Sequence, residues 1–262
     1  MRRCTDWQKH WNERSAAVAS DFSFNRGSGP WQKEVAELSE RELLSFIDPK
    51  SNEMIFDAGC GTGGNMFLLH SKVKRVVGMD YSTGAVARCQ SRLRTNNIDN
   101  VQISEGNITQ LPLASSSVDK LLCLSVLHYM DDAEVGSALN EFTRVLTDHG
   151  VLILHVKNLS SIYLRMLSVL KKAKLLFGKQ AKLAYFRSFR WYKKALTSRG
   201  FDIVDYNSFN LLLLPGMPTS LVLLLQKLEL RHCTSPLLRM GFLRRHGSDL
   251  KIKAVLRKRI SV

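Results

Sequence analysis

The amino-acid sequence predicts an α/β protein: a seven-stranded, mostly parallel, doubly wound sheet, with a helical N-terminal segment and helical inserts after the fifth and sixth strands. Three observations carry that prediction. Between residues 51 and 206, short apolar runs alternate with stretches whose apolar residues recur at helical spacing. The first run, Met54-Ile55-Phe56-Asp57, stops at four glycines within six residues (Gly59, Gly61, Gly63 and Gly64), which reads as a buried strand, a tight turn and a helix start. An acid, Asp80, closes the second run 17 residues after Gly63.

A chain of 262 residues is long enough for one substantial α/β domain. Its 45% hydrophobic and 23% charged content is ordinary for a globular protein. The net charge of +15 is not, and it is unevenly placed: 22 of the 38 Lys/Arg but only 4 of the 23 Asp/Glu fall in residues 157–262. The first part reads as a near-neutral body and the last hundred residues as a basic surface that suits an anionic partner. Cys4, Cys60, Cys89, Cys123 and Cys233 are scattered and odd in number, which fits free thiols in a reducing compartment. No apolar h-region opens the chain, and no apolar run reaches the ~20 residues of a spanning helix. The expectation is a cytoplasmic protein, or one peripheral on the cytoplasmic membrane face.

In chain order, residues 1–50 read as a helical cap, with Trp7, Trp11 and Trp31 and a turn at Gly27-Ser28-Gly29-Pro30. Residues 51–206 read as the core. The strands are placed at Met54–Asp57, Val76–Asp80, Val101–Ser104, from Asp119 on into Leu124–His128, at Val151–Val156 and Phe201–Tyr206, with a last strand at Lys251–Arg257. Helices are placed at Ser82–Asn96, with Arg88, Arg92 and Arg94 outward, and over residues 134–146, with Leu139, Phe142 and Val145 inward and Glu141 and Arg144 outward. Glycines in the turn after the first strand admit φ > 0 and let a ligand approach the main chain, and the helix that follows offers unpaired N–H groups. Asp80 stands where an acid accepts from both ribose hydroxyls of a nucleoside cofactor, and Tyr81 stands beside the adenine face.

The glycines satisfy two patterns. Gly59-x-Gly61-x-x-Gly64 fits the dinucleotide fingerprint. Asp57-x-Gly59-x-Gly61-x-Gly63 resembles the acidic glycine turn of class I (Rossmann-like) S-adenosylmethionine-dependent methyltransferases. A carboxylate at the strand end suits the cationic methionine end of S-adenosylmethionine and would face a pyrophosphate badly. Downstream, Gly106-Asn107 with Leu111-Pro112 resembles the family's G-D-x-x-x-L-P-F stretch, with Asn in place of the acid. Ser117-Val118-Asp119 through Leu124-Ser125-Val126-Leu127-His128-Tyr129 resembles its fourth strand, and Arg144-Val145-Leu146-Thr147-Asp148-His149-Gly150 its post-helix turn. The chain is therefore identified as similar to the methyltransferase type 11-like group, in register from Ser51 to Tyr206.

The resemblance implies S-adenosyl-L-methionine as cofactor, held by Asp57, Gly59, Cys60, Gly61, Gly63, Asp80, Tyr81, Asn107, Ile108 and Leu124. The Asn107 amide oxygen would accept from the adenine amino group. A leading helical segment that folds over the cofactor would use Trp11 or Trp31, plain packing onto the sheet being the alternative. Methyl transfer needs alignment and, for O–H acceptors, a proton acceptor. By position the candidates are His128, Tyr129 and His155, with a substrate-shaping role for His128 as the alternative. Asp131, Asp132 and Asn158 only faintly echo a metal-binding set, so no metal is expected.

The basic third carries two inserts within the same domain. The first, 157–195, holds a basic amphipathic helix from Leu159 to Phe177 and the run Tyr185-Phe186-Arg187-Ser188-Phe189-Arg190-Trp191-Tyr192; it is the expected acceptor lid. The second, in 207–262, holds Leu211–Leu214, Leu221–Leu225, Leu228, and then Arg239, Arg244, Arg245 and His246 ahead of the last strand. Grease with basic charge suits an anionic membrane surface and a small-molecule or lipid-like acceptor methylated at oxygen. RNA is the alternative partner, a non-catalytic binding protein the alternative class, and the chain is expected to be a monomer or homodimer.

Overall fold

The computed structural model describes residues 2–17, 30–161, 164–166, 169, 185–209, 218–231 and 248–258. Its elements run α1 (Arg2–Ala17), α2 (Pro30–Ile47), β1 (Met54–Ala58), α3 (Gly64–Leu69), β2 (Arg75–Asp80), α4 (Thr83–Thr95), β3 (Val101–Glu105), β4 (Val118–Leu124), α5 (Asp132–Val145), β5 (Leu146–Lys157), α6 (Phe189–Thr197), β6 (Phe201–Phe209), α7 (Thr219–Arg231) and β7 (Asp249–Leu256). Single 3₁₀ turns lie at His70–Lys72 and Leu127–Tyr129.

Seven strands form one sheet in the order β3-β2-β1-β4-β5-β7-β6. β1 pairs in parallel with β2 and β4, β2 with β3, and β4 with β5; β7 lies antiparallel between β5 and β6. The predicted doubly wound sheet is borne out. The chain reverses between β1 and β4, so the C-terminal ends of β1, β2 and β4 open on one edge, where ligands bind in such sheets. Because β7 is antiparallel, its first residues, from Asp249, reach that same edge.

The central strands are buried on both faces, as parallel strands require. Phe56, Leu121 and Leu154 pack with Val135, Leu139 and Phe142 of α5 and with Tyr192 and Leu196 of α6. On the other face Ile55, Val76 and Leu122 pack with Leu43 and Ile47 of α2, Met66 and Leu69 of α3, and Cys89 and Leu93 of α4. Burying a side chain such as Phe142, fully enclosed here, contributes roughly 2–3 kcal/mol.

Local sequence explains where the helices start. The Ser82 hydroxyl accepts from the Ala85 N–H at 3.2 Å. Asp131 accepts from the Ala133 and Glu134 N–H groups while the Glu134 carboxylate accepts from the Asp131 N–H, a capping box. Asp131 is thus a cap, and the neighbouring Asp132 pairs with Arg187 at 2.8 Å.

Several elements differ from expectation. β5 begins at Leu146, where it pairs with Val118 of β4; β5 and β6 also end later than placed and β7 begins two residues earlier, because antiparallel pairing of Lys157 with Asp249 and of Phe209 with Asp249 extends the ladder. Arg88 and Arg92 do not point outward: Arg88 donates to the Ser15 carbonyl and Arg92 to the Thr62 carbonyl. Glu141 and Arg144 are partners of each other and of the Leu111-Pro112 turn. Glu141 accepts from the Leu111 N–H, and Arg144 donates to the carbonyls of Leu111 and Leu113. Most of the amphipathic stretch Leu159–Phe177 lies outside the described residues, as do Leu211–Leu214, Arg239, Arg244, Arg245 and His246, and the Trp31 side chain. Among the described residues no helix is long and apolar enough to cross a membrane.

Candidate active site

The glycine turn is clamped to β2. The N–H groups of Gly59 and Cys60 both donate to the Met79 carbonyl, at 2.7 and 3.1 Å. Gly59, Gly61 and Gly63 all take positive φ, 79°, 55° and 84°, a region that glycine enters without the Cβ strain other residues meet. Their surroundings differ. A Cβ on Gly59 would meet Val126 Cγ2 at 2.3 Å and one on Gly63 would meet Cys89 Sγ at 2.4 Å, whereas nothing lies within 4 Å of one on Gly61. Gly61 therefore faces open space at the strand edge, and Val126 after β4 sits directly on the turn.

Two acids frame that space. Asp80 Oδ2 accepts from the Gly61 N–H at 2.8 Å and Oδ1 from the Ser82 N–H at 2.9 Å. The Tyr81 N–H also bonds the carboxylate, an acceptor-only group of the kind that takes the hydroxyls of a vicinal diol. Burial raises the Asp80 pKa against these bonds. Asp57 is 1% exposed; its Oδ2 accepts only a long 3.4 Å bond from Asn65, and its Oδ1 has no partner. Burial, helped by the nearby Asp80, pushes the Asp57 carboxyl up to about 7. An orphaned, fully buried carboxylate oxygen calls for a donor or cation.

Helix α1 lies over this edge. Gln8 donates to the Tyr81 carbonyl at 2.7 Å, and the Ser82 hydroxyl donates to Asn12 Oδ1 at 2.6 Å. The rings of Trp7 and Trp11 meet Tyr129 at centroid distances of 4.8 and 5.4 Å. Trp11 thus does sit over the strand edge, together with Trp7. Tyr81 is half-buried beneath α1, Cys60 and Ile108 are buried, and Leu124 is half-buried. Asn107 is exposed, and its amide oxygen accepts from the Thr109 N–H at 3.0 Å, so one lone pair of the expected adenine contact is already used by a local turn.

The three residues expected near the reacting atoms part company. His128 is 5% exposed and its Nδ1 has no partner. Burial, reinforced by Lys157 and His155, lowers its pKa to about 3, which makes it a neutral ring and a weak base. Tyr129 belongs to the aromatic cluster, 4.2 Å from the His128 ring. His155, at the end of β5, bonds on both sides: Nδ1 lies 3.0 Å from Ser125 Oγ and Nε2 lies 3.2 Å from Asp249 Oδ1.

A sequence family described as a methyltransferase domain matches residues 55–150, the span that holds the glycine turn, both acids and β4. Residues 55–150 thus match a methyltransferase domain, in line with the resemblance to class I S-adenosylmethionine methyltransferases. Curated relatives agree. A probable S-adenosylmethionine-dependent methyltransferase of Mycolicibacterium smegmatis is 34% identical over 40% of this chain and 38% of its own length. Malonyl-[acyl-carrier protein] O-methyltransferase of Serratia marcescens is 31% identical over 52% of this chain and 51% of its own. The chain spans about half the length of these relatives or less. The fold extends beyond the matched stretch. Magnesium protoporphyrin IX methyltransferase of Synechocystis superposes over 97% of this chain and 99% of its own, with a TM-score of 0.64 and 19% identity.

S-adenosyl-L-methionine is the cofactor of this methyltransferase domain, and the residues present fit it. The orphaned Asp57 oxygen suits its cationic amino-acid end, the Asp80 carboxylate its ribose hydroxyls, and the open face of Gly61 the close approach of a ligand to main chain. Four residues of the site escaped sequence reasoning: Gln8 and Asn12 on α1, and Ser125 and Asp249 beside His155. Ser125 stood within the motif but carried no signal of its own; its φ of 64° is visible only in three dimensions. Asp249 was hidden because the last strand was started at Lys251.

Proposed function

We propose that the chain is an S-adenosylmethionine-dependent methyltransferase that methylates an oxygen of a small-molecule or lipid-like acceptor, working at the cytoplasmic membrane face. The observation that carries the reading is the cofactor cradle: a cation-seeking buried Asp57, a diol-accepting Asp80 and a main-chain turn with open space at Gly61 and Gly64. When bound, S-adenosyl-L-methionine supplies an electrophilic methyl group. The protein's residues orient it, close over it with α1 and exclude water. The named activity of the Serratia relative, an O-methyltransferase, supports oxygen as the target.

For the acceptor's character, Leu221, Leu224 and Leu228 form an exposed stripe on α7, 39%, 39% and 47% accessible, while Lys227 on the same helix pairs with Glu34 of α2 at 2.6 Å. An exposed leucine stripe in a segment rich in Lys and Arg favours a lipid surface over RNA, because leucines add nothing to phosphate binding.

Calorimetry tests the cofactor: S-adenosylmethionine should bind the parent and bind tens of fold more weakly to Asp80→Ala, the scale of losing hydrogen bonds to a charged group. Absence of binding to the parent ends the methyltransferase reading. Tritiated-methyl transfer into a fractionated cell extract then names the acceptor class. Co-sedimentation with vesicles of anionic phospholipid, set against an RNA shift assay at matched salt, decides between the two surfaces.

A further inference from the structure

Beside the glycine turn, Ser125, His155 and Asp249 form a line of three hydrogen-bonded groups, from the residue just after β4, from β5 and from β7. Asp249 is 5% exposed. Burial alone would raise its pKa, but the bond from His155 and the charge and bond of Lys157, whose Nζ lies 2.5 Å from Oδ1, hold it well below the usual carboxylate range. The Ser248 hydroxyl donates to its other oxygen at 3.0 Å. An ionised carboxylate can only accept, so His155 Nε2, facing it at 3.2 Å, carries the ring hydrogen. Nδ1 is then bare and accepts from the Ser125 hydroxyl at 3.0 Å.

Ser125 is placed for use. It is exposed, and its φ of 64° is one that non-glycine residues rarely hold. Its N–H is tied to the His155 carbonyl at 2.8 Å. Its neighbour Val126 is the residue that packs on Gly59 of the turn, so the hydroxyl stands at the strand edge beside the cofactor's place. His155 lies behind it, half-buried.

Resting on the methyltransferase reading, we propose that Ser125 and His155 form the proton relay for an alcohol or phenol acceptor, with Asp249 as the positioning residue. The acceptor hydroxyl donates its proton to Ser125 Oγ as Ser125 passes its own to His155 Nδ1. The acceptor oxygen forms its bond to the methyl carbon, and the electron pair of the breaking carbon–sulfur bond stays on sulfur. The positive charge that began on sulfur ends on the His155 imidazolium, which Asp249 stabilises. The arrangement selects acceptors with an ionisable O–H over amines that already present a lone pair.

The test has a readout that needs no turnover. In protein carrying ¹⁵N-labelled histidine, with His155 assigned by comparison with His155→Gln, the parent shows the Nε2-protonated tautomer at neutral pH. Asp249→Asn loses that preference. Ser125→Gly relieves the positive φ, so it melts higher than the parent. It binds S-adenosylmethionine within threefold of the parent by calorimetry, yet transfers tritiated methyl into the organic-soluble fraction of a cell extract 10- to 100-fold more slowly. An unchanged His155 tautomer in Asp249→Asn, or Ser125→Gly turnover within twofold of the parent, overturns the relay and leaves the methyltransferase reading standing. A parent that does not bind S-adenosylmethionine refutes that reading instead.

Discussion

Replacing Asp57 by Asn should stabilise the ligand-free protein while removing its hold on the cofactor. The carboxyl is fully buried, its pKa raised from the ordinary 3.8 to about 7 by burial. The folded chain therefore binds the proton more tightly than the unfolded chain. Stability falls as pH rises from about 4 to about 7 and levels off above that. At about 1.36 kcal/mol per pH unit the gap amounts to about 4 kcal/mol at pH 7.5, and only about half a kcal/mol at pH 4. Asparagine carries no charge, keeps the shape and keeps an acceptor for Asn65. With an unfolding entropy of about 2.1 cal/mol/K per residue, a gain of that size raises Tm by roughly 7 °C at pH 7.5. Scanning calorimetry of both proteins at pH 4 and pH 7.5 reads this directly. Added S-adenosylmethionine should raise the parent's Tm and leave that of Asp57→Asn nearly unmoved, since the ligand's cation compensates the buried carboxylate only where there is one. A variant that melts at or below the parent at pH 7.5, or whose gain is equally large at pH 4, refutes the assignment of Asp57 as an uncompensated cation site.

The glycine turn separates stability from binding. Gly63→Ala places a Cβ 2.4 Å from Cys89 Sγ at a φ of 84° and should cost about 2–4 kcal/mol. Gly61→Ala meets no atom of the protein and should cost only about 1 kcal/mol, yet abolish cofactor binding; melting curves with calorimetry on each check the contrast, and equal destabilisation would sink it. The α1 lid predicts that Trp7→Ala combined with Trp11→Ala weakens S-adenosylmethionine binding about tenfold, the sum of two aromatic contacts near 0.5–1.5 kcal/mol each. In the parent, amide exchange across Arg2–Ala17 should slow when cofactor is added, and unchanged exchange would make α1 plain packing.

Sequence read the sheet well because its physics is local. Apolar runs, a glycine turn and strand-end acids announce parallel strands residue by residue, so β1 to β4 and the cofactor acids were placed before any contact was known. The acceptor side was not readable in that way. Its parts meet only through the sheet's topology: β7 inserts antiparallel next to β5, and that insertion carries Asp249 to within 3.2 Å of a histidine 94 positions earlier in the chain. On the cofactor side, Asn12 likewise reaches Ser82 across 70 positions. Neither position has a periodicity or a motif to reveal it. His128 shows the converse case. Its place after β4 made it the natural base by position, but burial beside Lys157, His155 and Arg187 is a property of the packed molecule that no spacing predicts.

The two halves of the site also follow different physical logic. The cofactor half joins two buried acids, Asp57 and Asp80, to a main-chain turn whose N–H groups at Gly59, Cys60 and Gly61 are tied to the Met79 carbonyl and to Asp80 itself. The stretch matched in sequence, residues 55–150, holds this half, while the fold matches along nearly the whole chain. The proposed acceptor half would draw on side chains of separate strands, Ser125, His155 and Asp249. A fold that keeps its cofactor residues on one stretch of chain and its acceptor residues on other strands can change acceptors without disturbing the methyl donor. The line from Asp249 through His155 to Ser125 lies on the side of that division where this chain's specificity would be written.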